Sequence, residues 1–154
     1  MTTEINGIAG MKALVGQHLG YSDYLEITQE RVNQFAEATG DHQWIHVDPQ
    51  RAAAGPFGAT IAHGFLTLSM LAAMAYEALP GVKGRTMGIN YGFDKVRFVA
   101  PVRSGKRVRG RFVLSELTQK TPKDATFKHT VTVEIEGEQK PAIVAEWLSM
   151  AALS

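Results

Sequence analysis

The sequence predicts an α+β domain in which one antiparallel sheet curls around a long apolar helix. Residues 61–79, IAHGFLTLSMLAAMAYEAL, place apolar side chains on every side of a helical wheel and carry one charge, Glu77. A helix that is apolar all round must be enclosed by other structure. Four extended stretches separated by turns follow between residues 86 and 153, and the antiparallel sheet that they predict can wrap around the helix.

Two shorter helices are predicted before this central helix. Thr28 is a suitable N-cap for the stretch QERVNQFAEAT, and Gly40 offers a C-terminal stop. Asp48 then caps one or two helical turns that begin at Pro49. Most of the remaining chain between residues 40 and 60 is predicted to be loop.

The four strands are predicted from turn signals and from alternation. Arginines alternate with other residues over 107–111, which indicates a strand with one solvated face. The turn residues between strands are Pro101 with Ser104-Gly105, Thr121-Pro122, and Gly137. A single sheet around one helix leaves a strand edge and part of the helix uncovered, so we expect a homodimer.

Composition limits the number of domains, the partners and the compartment. The chain has 154 residues, 45% of them hydrophobic, which suits a single domain over residues 1–154. Lys and Arg total 16 against 15 Asp and Glu, so bulk charge gives no support to a nucleic-acid partner. The chain has no cysteine, which excludes disulfides and thiolate chemistry. The first twenty residues contain Glu4 and no long apolar run, so we expect a cytoplasmic protein without a signal peptide or a membrane partner.

Asp41 and His46 are candidates for proton chemistry. In an unbroken helix this spacing would point the two side chains about 140° apart. Because the helix is predicted to stop at Gly40, the chain can turn and bring the carboxylate and the imidazole to a common point. Such a pair can hold a water and exchange a proton near neutral pH. The spacing equally allows Asp41 to cap a turn and His46 to be a hydrogen-bonded core residue.

Gly64 and His63 lie where the central helix begins. Apart from Thr60, this stretch has no strong N-cap residue. Free amides at a helix N-terminus suit a developing oxyanion, which makes the Gly64 amide a candidate donor. Alternatively, Gly64 only lets the helix pack closely against a strand. His63 is either a substrate contact or a buried polar residue.

The histidine spacing raises the question of a metal site but does not favour one. His42 and His46 stand at i, i+4, near Asp41 and His63. That spacing supports a shared metal only on a helix, and Gly40 predicts a loop here. We therefore predict no metal ligands.

Trp44 and a set of basic residues are candidates for substrate contact. Trp44 is either a packing residue or part of the lining of an acyl pocket, and the same holds for Phe57. Basic residues on a strand usually face solvent, but one or two of them can hold the phosphates of a ligand. The candidates for that role are Lys95, Arg97, Arg103, Arg107, Arg109 and Arg111.

These motifs together resemble a known family. The stretches FAEATGDHQWIHVDPQRAA and GATIAHGFLTLSML resemble the MaoC-like branch of the hotdog superfamily, which comprises (R)-specific enoyl-CoA hydratases and dehydratases, and within it the NodN-like subgroup. The later INYGFDKVRFVAPVRSGKRV resembles the family's strand after the central helix, so the likeness covers nearly the whole chain. Asp41, His46 and Ala52 match the family's motif of an Asp, a His and a small residue at fixed spacing.

The resemblance implies a hotdog fold and hydration of a trans-2-enoyl-CoA to an (R)-3-hydroxyacyl-CoA, or the reverse reaction. It implies that acyl-CoA is the substrate and that neither a metal nor an organic cofactor is needed. Asp41 and His46 would hold the catalytic water, and the Gly64 amide would polarise the thioester carbonyl.

The chain also departs from the family pattern at two places. Gln43-Trp44 stands where many members have Asn-Pro, and Ala72 stands where some carry a polar residue. Both departures bear on substrate range. The alternative functions are a hotdog acyl-CoA thioesterase and a non-catalytic acyl-thioester binding protein.

Overall fold

The computed structural model describes residues 4–154, which form six helical segments and a single antiparallel sheet of six strands. The first three residues of the N-terminal segment, for which neither signal nor anchor is predicted, lie outside the described residues. The helices are α1 (Gly7–Lys12), α2 (Gln29–Thr39), α3 (Trp44–Val47), α4 (Pro49–Ala53), α5 (Gly64–Ser69) and α6 (Leu71–Ala78). The strands are β1 (His18–Tyr21), β2 (Leu25–Glu26), β3 (Arg85–Phe98), β4 (Arg107–Thr121), β5 (Asp124–Ile135) and β6 (Ile143–Leu153).

The caps predicted for the two early helices are confirmed. The Thr28 side chain accepts a hydrogen bond from the Arg31 amide at the start of α2, and Gly40 ends that helix in the left-handed conformation, with φ of 84°. The Asp48 side chain accepts from the Arg51 amide at the start of α4. The Thr28 and Asp48 side chains each satisfy an amide that the helix itself leaves free.

The sheet follows the order β1-β4-β5-β6-β3, and β2 also pairs with β4. The predicted strands correspond to β3 to β6, and all three predicted turns fall between them. Strand β5 alternates strictly between buried and half-buried residues, as expected for a strand with one face on a core. Sequence reasoning missed β1, β2 and α1, which are all short.

The central helix begins later than predicted and is interrupted once. Residues 61–63 are extended rather than helical, and Ile61 forms an isolated bridge to Arg103. The helical part consists of α5 and α6, which meet at Met70. One face packs into the main core through Leu66, Leu71 and Met74.

The opposite face of the central helix is not covered by residues 4–154. Phe65 is 67% exposed and Tyr76 is 80% exposed. The curled sheet therefore encloses one side of an all-apolar helix, so the enclosure predicted from the sequence is only half present in a single chain. The architecture is the predicted α+β hotdog fold.

Within residues 4–154, the helices all fall short of the length and apolar character needed to cross a bilayer.

Candidate active site

The turn after α2 brings together three of the predicted site residues. Each of Asp41, His46 and His63 offers one nitrogen or carboxylate oxygen, and these three atoms all lie within 4.8 Å of one another. The left-handed Gly40 reverses the chain, and the Asp41 carboxylate accepts a hydrogen bond from the Gln43 amide at 3.3 Å. The short helix α3 then turns His46 toward the interior. The prediction that the chain folds back at Gly40 to join Asp41 and His46 is thus met by the geometry.

His46 is buried and held in one orientation. Its Nδ1 lies 2.7 Å from the Ile61 carbonyl oxygen. Because a carbonyl only accepts, Nδ1 carries the proton in the neutral ring, and the lone pair is on Nε2. The backbone carbonyl of His46 in turn accepts from the Gln29 side chain at 2.8 Å. The turn and the ring are therefore fixed from two sides.

The electrostatic environment keeps His46 neutral. Burial lowers the pKa of His46 below its usual 6.5, and this effect and that of the nearby His63 outweigh the opposing effects of the Ile61 carbonyl and of Asp41. A neutral imidazole with a free Nε2 can accept a proton at physiological pH.

His63 couples the start of the central helix to the Asp41 turn. Its Nε2 lies 3.0 Å from the Asp41 carbonyl oxygen, to which it donates. Its ring stacks on His46 with centroids 3.8 Å apart and planes 23° apart, and Phe35 packs 4.9 Å away. Its Nδ1 is buried without a partner among residues 4–154. His63 thus contacts both the Asp41 turn and the His46 ring and helps to hold them together.

The stacked rings are a poor arrangement for a metal held by both imidazoles. Ring lone pairs lie in the ring planes, and two nearly parallel planes 3.8 Å apart do not converge on one ion. His42, the other histidine of the i, i+4 pair, is exposed and lies 3.7 Å from Glu37. The residues present therefore suit proton transfer better than metal binding.

Gly64 is the first residue of α5 and lies beside His46. Both residues line one cavity of about 270 Å³, whose lining also includes Phe98 and Val99. The residue that precedes the helix, His63, makes no side-chain cap to it. A Cβ at position 64 would lie 2.7 Å from the Phe98 ring. Gly64 therefore packs closely against strand β3, which was one of its two predicted explanations. It also lines the same cavity as His46.

The remaining candidates for substrate contact differ in their relation to this cavity. Trp44 packs under the Arg51 guanidinium, 4.3 Å from the ring centroid, whereas Phe57 lines the cavity. Lys95 and Arg97 are exposed on β3, close in sequence to the lining residue Phe98.

Three of the other arginines already have partners. Arg107 pairs with Glu136, and Arg109 pairs with Glu134 at 2.8 Å. Arg103 donates to the Phe57 carbonyl at 2.8 Å. Of the six basic candidates, these three are the least available to a ligand phosphate.

Two residues that position the site were missed by the sequence analysis. Gln29 bonds both the His46 carbonyl and the Thr60 hydroxyl, and so ties α2 to the turn and to the loop before α5. Phe98 lines the cavity and packs against Gly64. Neither has a local signal, because Gln29 resembles any first-turn helix residue and Phe98 any strand residue.

Comparison with known proteins defines the class of this domain. The MaoC-like domain family matches residues 11–139. The chain belongs to that family. It is 53% identical over 145 residues to nodulation protein N of Rhizobium meliloti, covering 94% of this chain and 90% of that protein. It is 52% identical over 139 residues to 3-hydroxyacyl-thioester dehydratase Z of Mycobacterium tuberculosis, covering 90% and 91% of the two chains.

A solved structure extends the likeness to three dimensions. An (R)-hydratase from Pseudomonas aeruginosa superimposes with a TM-score of 0.71 at 28% identity, over 91% of this chain and 83% of that one. The sequence resemblance to MaoC-like proteins and to the NodN-like subgroup is thereby confirmed.

Proposed function

We propose that this protein hydrates trans-2-enoyl-CoA thioesters to (R)-3-hydroxyacyl-CoA, or catalyses the reverse dehydration. The observation that carries the proposal is the convergence of three features on one place. Asp41 and His46 face a common point, His46 presents a free Nε2, and Gly64 lines the same cavity as His46.

The chemistry follows from that arrangement. A water held between Asp41 and His46 adds its oxygen to the β-carbon of the enoyl group while the pair removes one proton from it. The electron pair of the double bond moves toward the thioester oxygen, where the Gly64 amide at the helix start stabilises the developing negative charge. The pair then returns one proton to the α-carbon, which completes the addition of water.

The relatives support this reaction class. One relative that matches over nearly the whole chain is named as a 3-hydroxyacyl-thioester dehydratase, and the (R)-hydratase shares the fold at 28% identity. Beyond the reaction class, we propose that the hydroxy product has the (R) configuration and that CoA is the carrier.

Incubation with crotonyl-CoA tests the proposed function. We expect loss of the enoyl absorbance without release of free thiol, and chiral analysis should give the (R)-3-hydroxy product. Thiol release would instead identify a thioesterase. Binding of the thioester without either change would identify an acyl-thioester binding protein.

The CoA phosphates should be held by Lys95 and Arg97. Both are exposed, and they lie two residues apart on β3, next to the cavity residue Phe98. Residues two apart on a strand share a face, so both ammonium and guanidinium groups can reach one anion. Charge reversal at either residue should raise the Michaelis constant, while reversal at Arg109, which already pairs with Glu134, should have little effect on it.

The active form should be a homodimer. Strand β3 is at the edge of the sheet, and nearly all of its residues are exposed. The exposed large apolar side chains of β3 and of the central helix form what we call the apolar face, consisting of Met87, Ile89, Tyr91, Phe93, Phe98, Phe65 and Tyr76. An apolar edge strand beside an uncovered apolar helix face is typical of a surface buried in a second copy.

Light scattering at micromolar concentration checks whether the protein is a homodimer. Tyr91→Glu should favour the monomer because it places a charge in the apolar face. Val15→Glu serves as a control, since Val15 is an exposed apolar residue on a different segment of the chain. A fully active monomeric wild type would contradict the expectation.

A further inference from the structure

A second cavity lies farther along the central helix. It has a volume of about 260 Å³, and its walls include Ala72 and Ala75 of α6, Trp147 of β6 and His129 of β5. Ala72 follows Gly64 by eight residues, which is about 12 Å along a helix at 1.5 Å per residue. The cavity is therefore within reach of a medium-length chain whose reacting end lies at Gly64.

His129 is the unusual member of this lining. It lies on the buried face of β5 between Phe127 and Val131, and it is only 4% exposed. In the part of the chain that the structure describes, neither Nδ1 nor Nε2 has a hydrogen-bond partner. Its ring neighbours are aromatic, with Phe127 stacked at 6.2 Å and Phe112 edge-on at 6.3 Å. A buried imidazole with two unsatisfied nitrogens is rare in native proteins.

The protonation state of His129 determines which ligand group could form hydrogen bonds with its two nitrogens. Burial, with the help of the Arg85 charge, lowers the pKa of His129 to about 4, so the ring is neutral at physiological pH. A neutral imidazole offers one donor and one acceptor. A plain alkyl chain offers neither. A hydroxyl group offers both, and it brings no charge beside a ring whose two ring neighbours are Phe127 and Phe112.

We infer that this cavity binds the distal part of an acyl chain that carries a hydroxyl group, with His129 as the hydrogen-bond partner of that hydroxyl. The inference rests on the proposed function only in placing the thioester end of the ligand at Gly64. Trp147 Nε1 already donates to Asn90 Oδ1 at 3.2 Å. Arg85 and Ser149 also line the cavity, but among residues 4–154 His129 is the lining residue whose buried side-chain nitrogens lack a partner.

Calorimetry with saturated CoA thioesters tests the inference without any turnover. The probes are hexanoyl-, octanoyl- and decanoyl-CoA, each with and without a hydroxyl on the terminal carbon. At the chain length that reaches His129, we expect the hydroxylated probe to bind about 3- to 10-fold more tightly than the plain one, the size expected for one neutral hydrogen bond.

Three variants separate the roles of shape and hydrogen bonding. His129→Leu should abolish the preference and leave the plain chain bound at least as well. His129→Asn keeps a donor and an acceptor, so it should retain part of the preference for the hydroxylated probe. It provides the test if His129→Leu does not fold. Phe127→Leu changes the adjacent wall but keeps the imidazole, so both probes should weaken together.

Several results would overturn the inference. Equal affinities in the wild type would mean that water alone satisfies His129. A preference that persists in His129→Leu would place the hydroxyl elsewhere, and failure of all the longer probes to bind would exclude the cavity as their site. Crotonyl-CoA is too short to reach His129, so its hydration tests the proposed function separately from this inference.

Discussion

His46 and His129 are both buried histidines, and the difference between them lies in their partners. They are 6% and 4% exposed, and burial is the largest cause of a lowered pKa in each. The Ile61 carbonyl fixes the His46 ring in one tautomer, whereas His129 has no protein partner within residues 4–154. Burial alone therefore does not make a histidine a candidate for catalysis; the fixed tautomer and the adjacent carboxylate are what favour His46 for the proposed role.

The two histidines also differ in the backbone that carries them. His46 lies on the short helix α3, which is bonded to two other segments through Gln29 and Ile61. His129 lies in the middle of a long strand whose ladder with β4 and β6 fixes its direction. The first arrangement fixes the orientation and the tautomer of a ring, and the second presents a ring to a cavity without fixing the position of its proton.

Substitution of the Asp41/His46 pair should give the largest effect. Asp41→Asn and His46→Gln keep the approximate size of each side chain but remove its proton-transfer function. Each should lower the turnover of crotonyl-CoA by roughly 10²–10⁴, the usual range for a general acid–base group. Steady-state kinetics on variants that show wild-type circular dichroism gives the measurement.

The double variant and one control sharpen this result. Residues that act as a unit are strongly non-additive, so the double variant should be little slower than the slower single one. His42→Gln is the matched control, because His42 is exposed and bonded to neither member of the pair. If His46→Gln folds and retains near wild-type hydration, the catalytic assignment is wrong.

Gly64→Ala should give a smaller effect, confined mainly to turnover. An alanine Cβ would lie 2.7 Å from the Phe98 ring, so the ring or the helix start must shift. Because charge on the thioester oxygen is greatest in the transition state, a displaced amide should lower kcat by about 10- to 100-fold and change the Michaelis constant less.

A Phe98→Leu background separates the two causes of the Gly64→Ala effect. Removing the ring relieves the clash, so kcat should recover in the double variant relative to Gly64→Ala alone. Loss of stability with normal kcat in the folded fraction would reduce Gly64 to a packing residue.

Much of the fold could be predicted because hydrophobic periodicity and turn residues determine it locally. Strands β4 to β6 have one buried face each, which imposes alternation on their sequences. The short strands β1 and β2 were not predicted, because four and two residues are too few to show a period. The start of the central helix was misplaced because Ile61 and Ala62, which are extended, are as apolar as the helix that follows.

The site was only partly predictable for a different reason. Gly40 signalled the turn that joins Asp41 to His46, but the bond from His46 to the Ile61 carbonyl depends on backbone that is distant in sequence. His129 did have a signal: it alternates in phase with Phe127 and Val131, which predicts an inward side chain. The absence of a partner for it depends on the packing of the whole sheet and could not be read from local sequence.

A comparable effect, on acid stability rather than on turnover, concerns His129. Its pKa is about 4 in the native state against 6.5 when unfolded. Between these values the unfolded state binds more protons, so the stability present above pH 6.5 is lost as pH falls toward 4. On acidification from pH 7.5 to pH 5, this group alone should lower the free energy of unfolding by about 2 kcal/mol.

Urea unfolding at the two pH values measures this loss for the wild type and for His129→Leu. The contribution of His46 has the same sign but is present in both proteins, so the difference between their pH dependences isolates His129. Phe127→Leu is the control: it alters the same cavity wall without removing the titrating ring, and should keep nearly the wild-type pH dependence. If His129→Leu loses as much stability on acidification as the wild type, His129 is already solvated in the native state. His129 would then differ from His46 in exposure to water, and not in the lack of a partner.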